Sequence, residues 1–352
     1  MIMAKQLKKG GREMKMKKMF TVLWVVGLCG IFLTAFFLVK PVAAKEIRVA
    51  TVALPETTIH QSLDKWKAVI EERSGGKITV KVLGRAVMGG DREMIEGCRL
   101  GTLDAGIVSG SVLATLIPQY AMVAMPYLFN NHDEVNAFLD GTIGQKLFKM
   151  LEDKGLVGLG WSTWSFRGIW NNVRPITKPK DLKGLKIRTV ETPLDVSTMT
   201  YMGAISTPIA WSECLIGLKQ GTVDGISTTY GLGYHLKLYE LAKYASQTNH
   251  YYETAPLIMS KKLFDSFTPE EQKMIEETAA HSLLWARKEQ ARFEDKAQGL
   301  LEEKGVKVNS LSPKAFEEFR ERTKPVYEQF RIKIGAEFMD EVFAFIKTVR
   351  KK

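Results

Sequence analysis

The side chain best suited to chemistry in this sequence is an arginine placed inside a strand pattern. In Lys183-Gly184-Leu185-Lys186-Ile187-Arg188-Thr189-Val190, Leu185, Ile187 and Thr189 share one face while Lys186, Arg188 and Val190 share the other. An arginine away from the strand ends must hold its charge against partial burial. Its guanidinium stays protonated, and its planar fork fits a carboxylate through two parallel hydrogen bonds. A salt bridge to a resident Asp or Glu, or a solvated sheet edge, is the other reading of the same residue. Arg167, in Trp164-Ser165-Phe166-Arg167, offers the same two readings among aromatic neighbours. Trp211, just before a helix at Ser212, reads as core or as a stacking wall. Trp161, Trp164 and Trp170 read mostly as core packing, and Tyr230-Gly231-Leu232-Gly233-Tyr234 as a flexible turn first and a ligand loop second.

Other chemistry is missing from the pattern. The sequence has no GxxxxGK[ST] loop, GxGxxG turn, HExxH, GxSxG or CxxC. Its five histidines, His60, His132, His235, His250 and His281, show no paired spacing. This speaks against nucleotide and zinc sites, and more weakly against an enzyme, because catalytic residues can be dispersed. No cofactor or metal is expected. A secreted enzyme acting on a small carboxylic acid stands as the alternative function, with Ser109 or Ser227 near His60 or His235 the place to look for a nucleophile and its base.

The elements that must position these residues belong to a two-domain chain of 352 residues. Its 50 basic and 39 acidic residues give +11, which raises a nucleic-acid surface. The charge sits elsewhere. Residues 1–18 carry seven Lys and Arg against Glu13, an apolar run follows from Met19 to Val39, and Val42 and Ala44 are small. That is a secretory signal peptide cleaved after Ala44, with an uncleaved membrane anchor as the alternative. Without 1–44 the chain has 42 basic and 38 acidic residues, or +4, and no nucleic-acid partner is expected. Cys98 and Cys214 fall in apolar helical patterns and read as buried free thiols.

From Lys45 onward strands and helices alternate. Ile47–Val52 and Ile78–Val82 read as strands flanking a helix from about Gln61 to Arg73. Asp91 reads as the cap of a helix running through Leu100 and closed by Gly101. The order argues an α/β fold with mainly parallel pairing. Residues 93–104 also echo 213–224, each a helix closed by Gly and led through Thr-x-Asp into a strand. Two related lobes, each presenting a strand end to a shared cleft, would produce that echo. Thr268-Pro269-Glu270-Glu271 forms a capping box ahead of a helix with no Pro or Gly until Gly299, long enough to brace both lobes.

Further segments carry a family resemblance. They are Met88-Gly89-Gly90-Asp91-Arg92-Glu93, Gly101-Thr102-Leu103-Asp104, Met125-Pro126-Tyr127-Leu128-Phe129, Asp181-Leu182-Lys183-Gly184-Leu185-Lys186-Ile187-Arg188, Gly203-Ala204-Ile205-Ser206-Thr207-Pro208, Trp211-Ser212-Glu213 and Gly221-Thr222-Val223-Asp224-Gly225. In this order and spacing the chain resembles the solute-binding subunit of tripartite ATP-independent periplasmic (TRAP) transporters, of the DctP type, over essentially all of 45–352. The resemblance implies a two-lobe periplasmic binding protein fold, type II-like. Lobe I is 45–164 with about 253–290 returning to it, and lobe II is 165–252 with about 291–352 packing on it.

The resemblance also implies an interdomain cleft that closes on an organic acid and delivers it to the small and large subunits of a membrane permease. Arg188 takes the position that clamps the ligand carboxylate, Arg167 that of a frequent second donor, and Trp211 that of an aromatic wall. Asp91 matches a position that reaches the cleft in some members, with helix capping its better-supported role. Two positions depart from the family: Thr228 stands for a ligand-contacting Asn, and Ser109 stands where sialic-acid binders have Glu. These losses and the nearby aromatics favour a smaller or less hydroxylated acid. Some members dimerise, and no sequence feature decides whether this one does.

Overall fold

The computed structural model describes residues 44–351, so the signal-peptide reading lies outside the described residues. The strands, in chain order, are β1 (Lys45–Thr51), β2 (Ile78–Leu83), β3 (Ala105–Ile107), β4 (Leu156–Phe166), β5 (Gly168–Asn171), β6 (Lys186–Thr189), β7 (Ile205–Pro208), β8 (Gly225–Thr228), β9 (Tyr244–Gln247), β10 (Tyr252–Ser260) and β11 (Lys307–Ser310). They form two sheets, ordered β2-β1-β3-β10-β4 and β11-β9-β5-β8-β6-β7. Pairing is parallel within β2-β1-β3, β8-β6-β7 and β11-β9, and antiparallel where β10 and β5 join.

Each sheet is covered on both faces, as buried parallel strands require. Ile47 and Val49 of β1 pack with Leu63, Trp66 and Ile70 of the helix Thr58–Arg73, while Ala50 faces Met94 and Cys98 of the helix Asp91–Leu100. In the second sheet Trp170 and Ile226 meet Cys214 on one side, and Ile169 and Ile187 meet Met199 and Phe319 on the other. Both cysteines are buried and unpaired.

The sequence echo has an atomic counterpart. Gly101 and Gly221 both end a helical segment with positive φ, at 76° and 74°. Asp104 Oδ2 then accepts the backbone N–H of Arg48 on β1, and Asp224 Oδ2 accepts that of Lys186 on β6, each at 2.8 Å. In both lobes the Thr-x-Asp joint therefore ties the incoming strand to its parallel neighbour. Both incoming strands, β3 and β8, lead directly into short helices whose N-caps are Ser109 and Thr229.

The capping box at Thr268 starts a 35-residue helix, Pro269–Glu303, about 52 Å long. Ile275, Ala279 and Leu283 near its start bury in the first-sheet core, and Ala297 and Leu301 near its end in the second. Gly299 does not stop it, since the ladder continues to Lys304 and Gly305 supplies the positive φ of 82°.

Two expectations change. Residues 230–234 are part of a helix, Tyr230–His235, rather than a flexible turn. A Cβ on Gly233 would sit 2.3 Å from the Trp170 ring, so that glycine serves close packing. The C-terminal segment grouped with lobe II splits between the two cores. Phe319 of the helix Pro313–Ile334 joins Ile187 and Met199, but Phe330 and Ile334, with Val342 and Ile346 of the helix Ala336–Val349, join Val135 and Phe138 from the first part of the chain. Arg350 then pairs with the buried Glu134 at 2.9 Å. An apolar helix face states that it needs a partner, and not which one. Among the described residues no helix is long and apolar enough to cross a membrane.

Candidate functional site

The carboxyl ends of parallel strands from both sheets converge on one cleft, where open α/β sheets place their ligands. β1 and β3 contribute from one side, β6 and β8 from the other, and β10 crosses the floor with Glu253. The space, counted to its mouth and including open solvent, is about 520 Å³. Asp91, Ser109, Arg167, Arg188, Trp211 and Thr228, the six residues singled out in the sequence, all line it.

Arg188 is the most unusual of them. It is 2% exposed. Its Nε donates to the carbonyl of Ile209 at 2.8 Å and its Cζ lies 5.3 Å from the Trp211 ring centre. Among the described residues no acid pairs with it, and its Nη1 has no hydrogen-bond partner. Neither the resident salt bridge nor the solvated edge is realised. A buried, charged, unsatisfied donor costs several kcal/mol unless something completes it. Trp211, the first residue of the helix Trp211–Lys219, holds the guanidinium from one side.

Arg167 is arranged differently. Its Nε donates to Glu253 Oε2 at 2.7 Å and its Nη1 to the Ser227 carbonyl at 2.5 Å. Both partners of the ion pair are buried, with side chains 7% and 3% exposed. Burial acts to lower the Arg167 pKa, and the charges of Glu253 and Asp195 outweigh it, leaving the pKa raised. Arg167 thus faces the cleft with its charge already met, and the resident ion pair is the reading that applies.

Glu253 is the site residue that sequence reading missed. Its Oε1 accepts the Ser109 hydroxyl at 2.5 Å while Oε2 holds Arg167. The signal was available: a lone carboxylate inside Tyr252-Glu253-Thr254-Ala255-Pro256-Leu257 is the counterpart of Arg188 in its own strand.

Asp91 does not cap its helix. Gly90 is the N-cap, and Glu93 Oε2 accepts the Gly90 N–H at 2.8 Å. Asp91 is the first helical residue, and its Oδ1 turns inward to accept the Ser109 N–H at 2.9 Å. Burial pushes its pKa up to about 6, with Glu253 adding to the rise and the Ser109 N–H, Arg188 and Arg167 opposing it. The folded value lies above the unfolded one of about 3.9. Its favourable contribution is therefore complete below about pH 4 and is lost as pH rises through 6. The stability of Asp91→Asn relative to wild type is expected to grow between pH 4 and 7.5, by up to about 3 kcal/mol. Urea unfolding at both pH values checks this, and parallel pH profiles contradict it.

Thr228 ends β8 and is 1% exposed at the cleft wall, and Thr229 follows it into the lining. Of the tryptophans among the described residues, Trp164 and Trp211 line the cleft. Trp161 stacks on Phe148 with centroids 4.5 Å apart, and Trp170 packs edge-on to Tyr230. The aromatics that favoured a less hydroxylated ligand are mostly core, which removes that ground.

A serine–histidine pair does exist, with Ser227 as the enzyme alternative named but His250 in place of His60 or His235. Ser227 Oγ and His250 Nε2 are hydrogen-bonded at 2.9 Å, and His250 Nδ1 meets the Thr248 hydroxyl at 2.8 Å. Both residues are at most 2% exposed, neither lines the cleft, and burial with the nearby Arg167 charge pushes the His250 pKa down to about 3. A base so weak and a serine so enclosed cannot serve as an attacking pair.

The family described as bacterial extracellular solute-binding protein, family 7 (DctP), matches residues 49–333. A solute-binding protein of Verminephrobacter eiseniae is 32% identical over 284 residues, which is 80% of this chain and 83% of that one. Among solved structures, the sugar acid binding protein of Advenella mimigardefordensis in complex with galactonate has a TM-score of 0.85 at 30% identity, covering 87% of this chain and 99% of its own. A TRAP periplasmic solute binding protein from a Polaromonas species bound to D-erythronate has a TM-score of 0.82 at 29% identity, covering 85% and 98%. With its two sheets, its cleft and this match over most of its length, the chain belongs to the bacterial extracellular solute-binding protein family 7, the DctP family, whose members are transport receptors rather than enzymes.

Proposed function

We propose that this protein is the extracytoplasmic receptor of a TRAP transporter, and that it captures an organic acid with Arg188 as the carboxylate clamp. The observation that carries the reading is the buried guanidinium with Nη1 unpartnered at the cleft. An incoming carboxylate would complete its hydrogen bonding and neutralise it in one step. Trp211 flanks the fork, its ring centre 5.3 Å from Cζ, and Thr228 and Ser109 offer hydroxyl oxygens to the rest of the ligand. The Arg167–Glu253 pair acts from behind as a fixed frame, holding the Ser109 hydroxyl in place.

Residues from both sheets touch the same ligand, so the acid binds the closed arrangement better and draws the lobes together. The closed receptor then hands its acid to the membrane permease. Export by residues 1–44, with cleavage after Ala44, places the receptor in the periplasm.

A thermal-shift panel of organic acids tests the receptor role. A subset of acids should raise the melting temperature in a saturable way, by mass action on the folded state. X-ray scattering should show a smaller radius of gyration with those acids present. An absence of any shift across mono- and dicarboxylic acids at millimolar concentration contradicts the reading.

A further inference from the structure

Four charged side chains line the cleft among the described residues: Asp91, Arg167, Arg188 and Glu253. Glu253 spends both oxygens, one on Arg167 and one on the Ser109 hydroxyl. Arg167 also feels the charge of the buried Asp195. Its positive charge is therefore met before any ligand arrives. Among the described residues Arg188 is left as the cation, and Asp91 as the acid, without an opposite charge at ion-pair distance, although the Arg188 and Arg167 charges still reach Asp91. Asp91 Oδ1 takes the Ser109 N–H, while Oδ2 has no hydrogen bond among the described residues. Asp91 is held there firmly, because Gly90 and Glu93 fix the start of its helix and the Arg92 guanidinium donates to the Glu191 carbonyl across from it.

One free cation suits one carboxylate. A second carboxylate on the ligand would find Asp91 instead, with like charges meeting in the cleft. A hydroxyl in that place would donate to the open oxygen of Asp91 and satisfy both groups. We propose that the cleft selects acids carrying a single carboxylate and a hydroxyl near it, and that Asp91 enforces the choice by accepting the hydroxyl and repelling a second carboxylate. This rests on the acid-receptor reading above and adds the chemical class of its ligand.

Matched acids test it by calorimetry on the purified protein. Galactonate, galactarate and hexanoate share six carbons and differ in one group at a time or in all hydroxyls. D-erythronate, meso-tartrate and butanoate do the same with four. The expected result is that galactonate or D-erythronate binds, and that its diacid and its deoxy partner each bind roughly 100-fold more weakly or worse. Asp91→Asn retains an oxygen for the Ser109 N–H and loses only the charge, and Asp91→Ser serves as a second variant if the first is poorly folded. In either, the hydroxy acid should lose about 10-fold while the diacid gains, so that the preference between them collapses. Wild type binding a diacid or a deoxy acid as tightly as its hydroxy monoacid overturns the proposal. So does an unchanged preference in a folded variant, and so does binding confined to acids outside both sets. Failure to bind any carboxylic acid is a different result, because it removes the receptor reading itself.

Discussion

Arg188→Ala is expected to lower affinity for the transported acid by about 30-fold to several thousand-fold, the equivalent of roughly 2–5 kcal/mol for truncating one side of a buried charged pair. The unliganded protein should fold as before. Arg188 gives the empty structure one hydrogen bond to the Ile209 carbonyl and one ring contact with Trp211, and against these stands a buried charge that no acid balances. Removing a charge of that kind costs little stability and can add some. Arg188→Lys should also bind poorly. A lysine retains the charge, but its compact ammonium cannot hold the Ile209 carbonyl and offer a planar two-point edge at once. Calorimetric titration of both variants, beside their melting curves, checks the pair of effects. Affinity unchanged in either variant contradicts the clamp.

Glu253→Gln is expected to act in the opposite way, mainly on stability. The mutation leaves Arg167 buried with its 2.7 Å partner neutral, and weakens the hold on the Ser109 hydroxyl. Breaking one side of a buried pair costs roughly 3–5 kcal/mol. The pair Arg73–Glu277 has nearly the same separation, 2.9 Å, but its side chains are 46% and 45% exposed. Its loss should cost less than about 1 kcal/mol. Urea unfolding of Glu253→Gln and Glu277→Gln side by side measures the contrast. Equal losses from the two would show that burial gives the Arg167–Glu253 pair no special weight.

Much of this arrangement was legible in the sequence because local rules govern it. The capping box at Thr268, the stop at Gly101 and the alternation around Arg188 each follow from a few neighbouring residues. The echo of 93–104 in 213–224 announced two lobes, and the Asp104 and Asp224 hydrogen bonds give it a physical cause. All six residues chosen from the sequence meet at the cleft. What stayed hidden depends on partners far along the chain. Glu253 reaches Arg167 across 86 residues and Ser109 across 144. Asp91 looked like a helix cap because capping is a local property, whereas its turn toward Ser109 depends on where β3 ends. The helix Ala336–Val349 advertised an apolar face through Met339, Val342 and Ile346, and only the packed core chose Val135 and Phe138 to meet it.

The central claim is that Arg188 completes its hydrogen bonding with the ligand carboxylate. A crystal structure with the acid that wins the panel tests it most directly. The account predicts a carboxylate oxygen about 2.7–2.9 Å from Arg188 Nη1, with the Arg167–Glu253 pair intact behind it. A carboxylate seated elsewhere in the cleft, with Arg188 Nη1 still unpartnered, would contradict it.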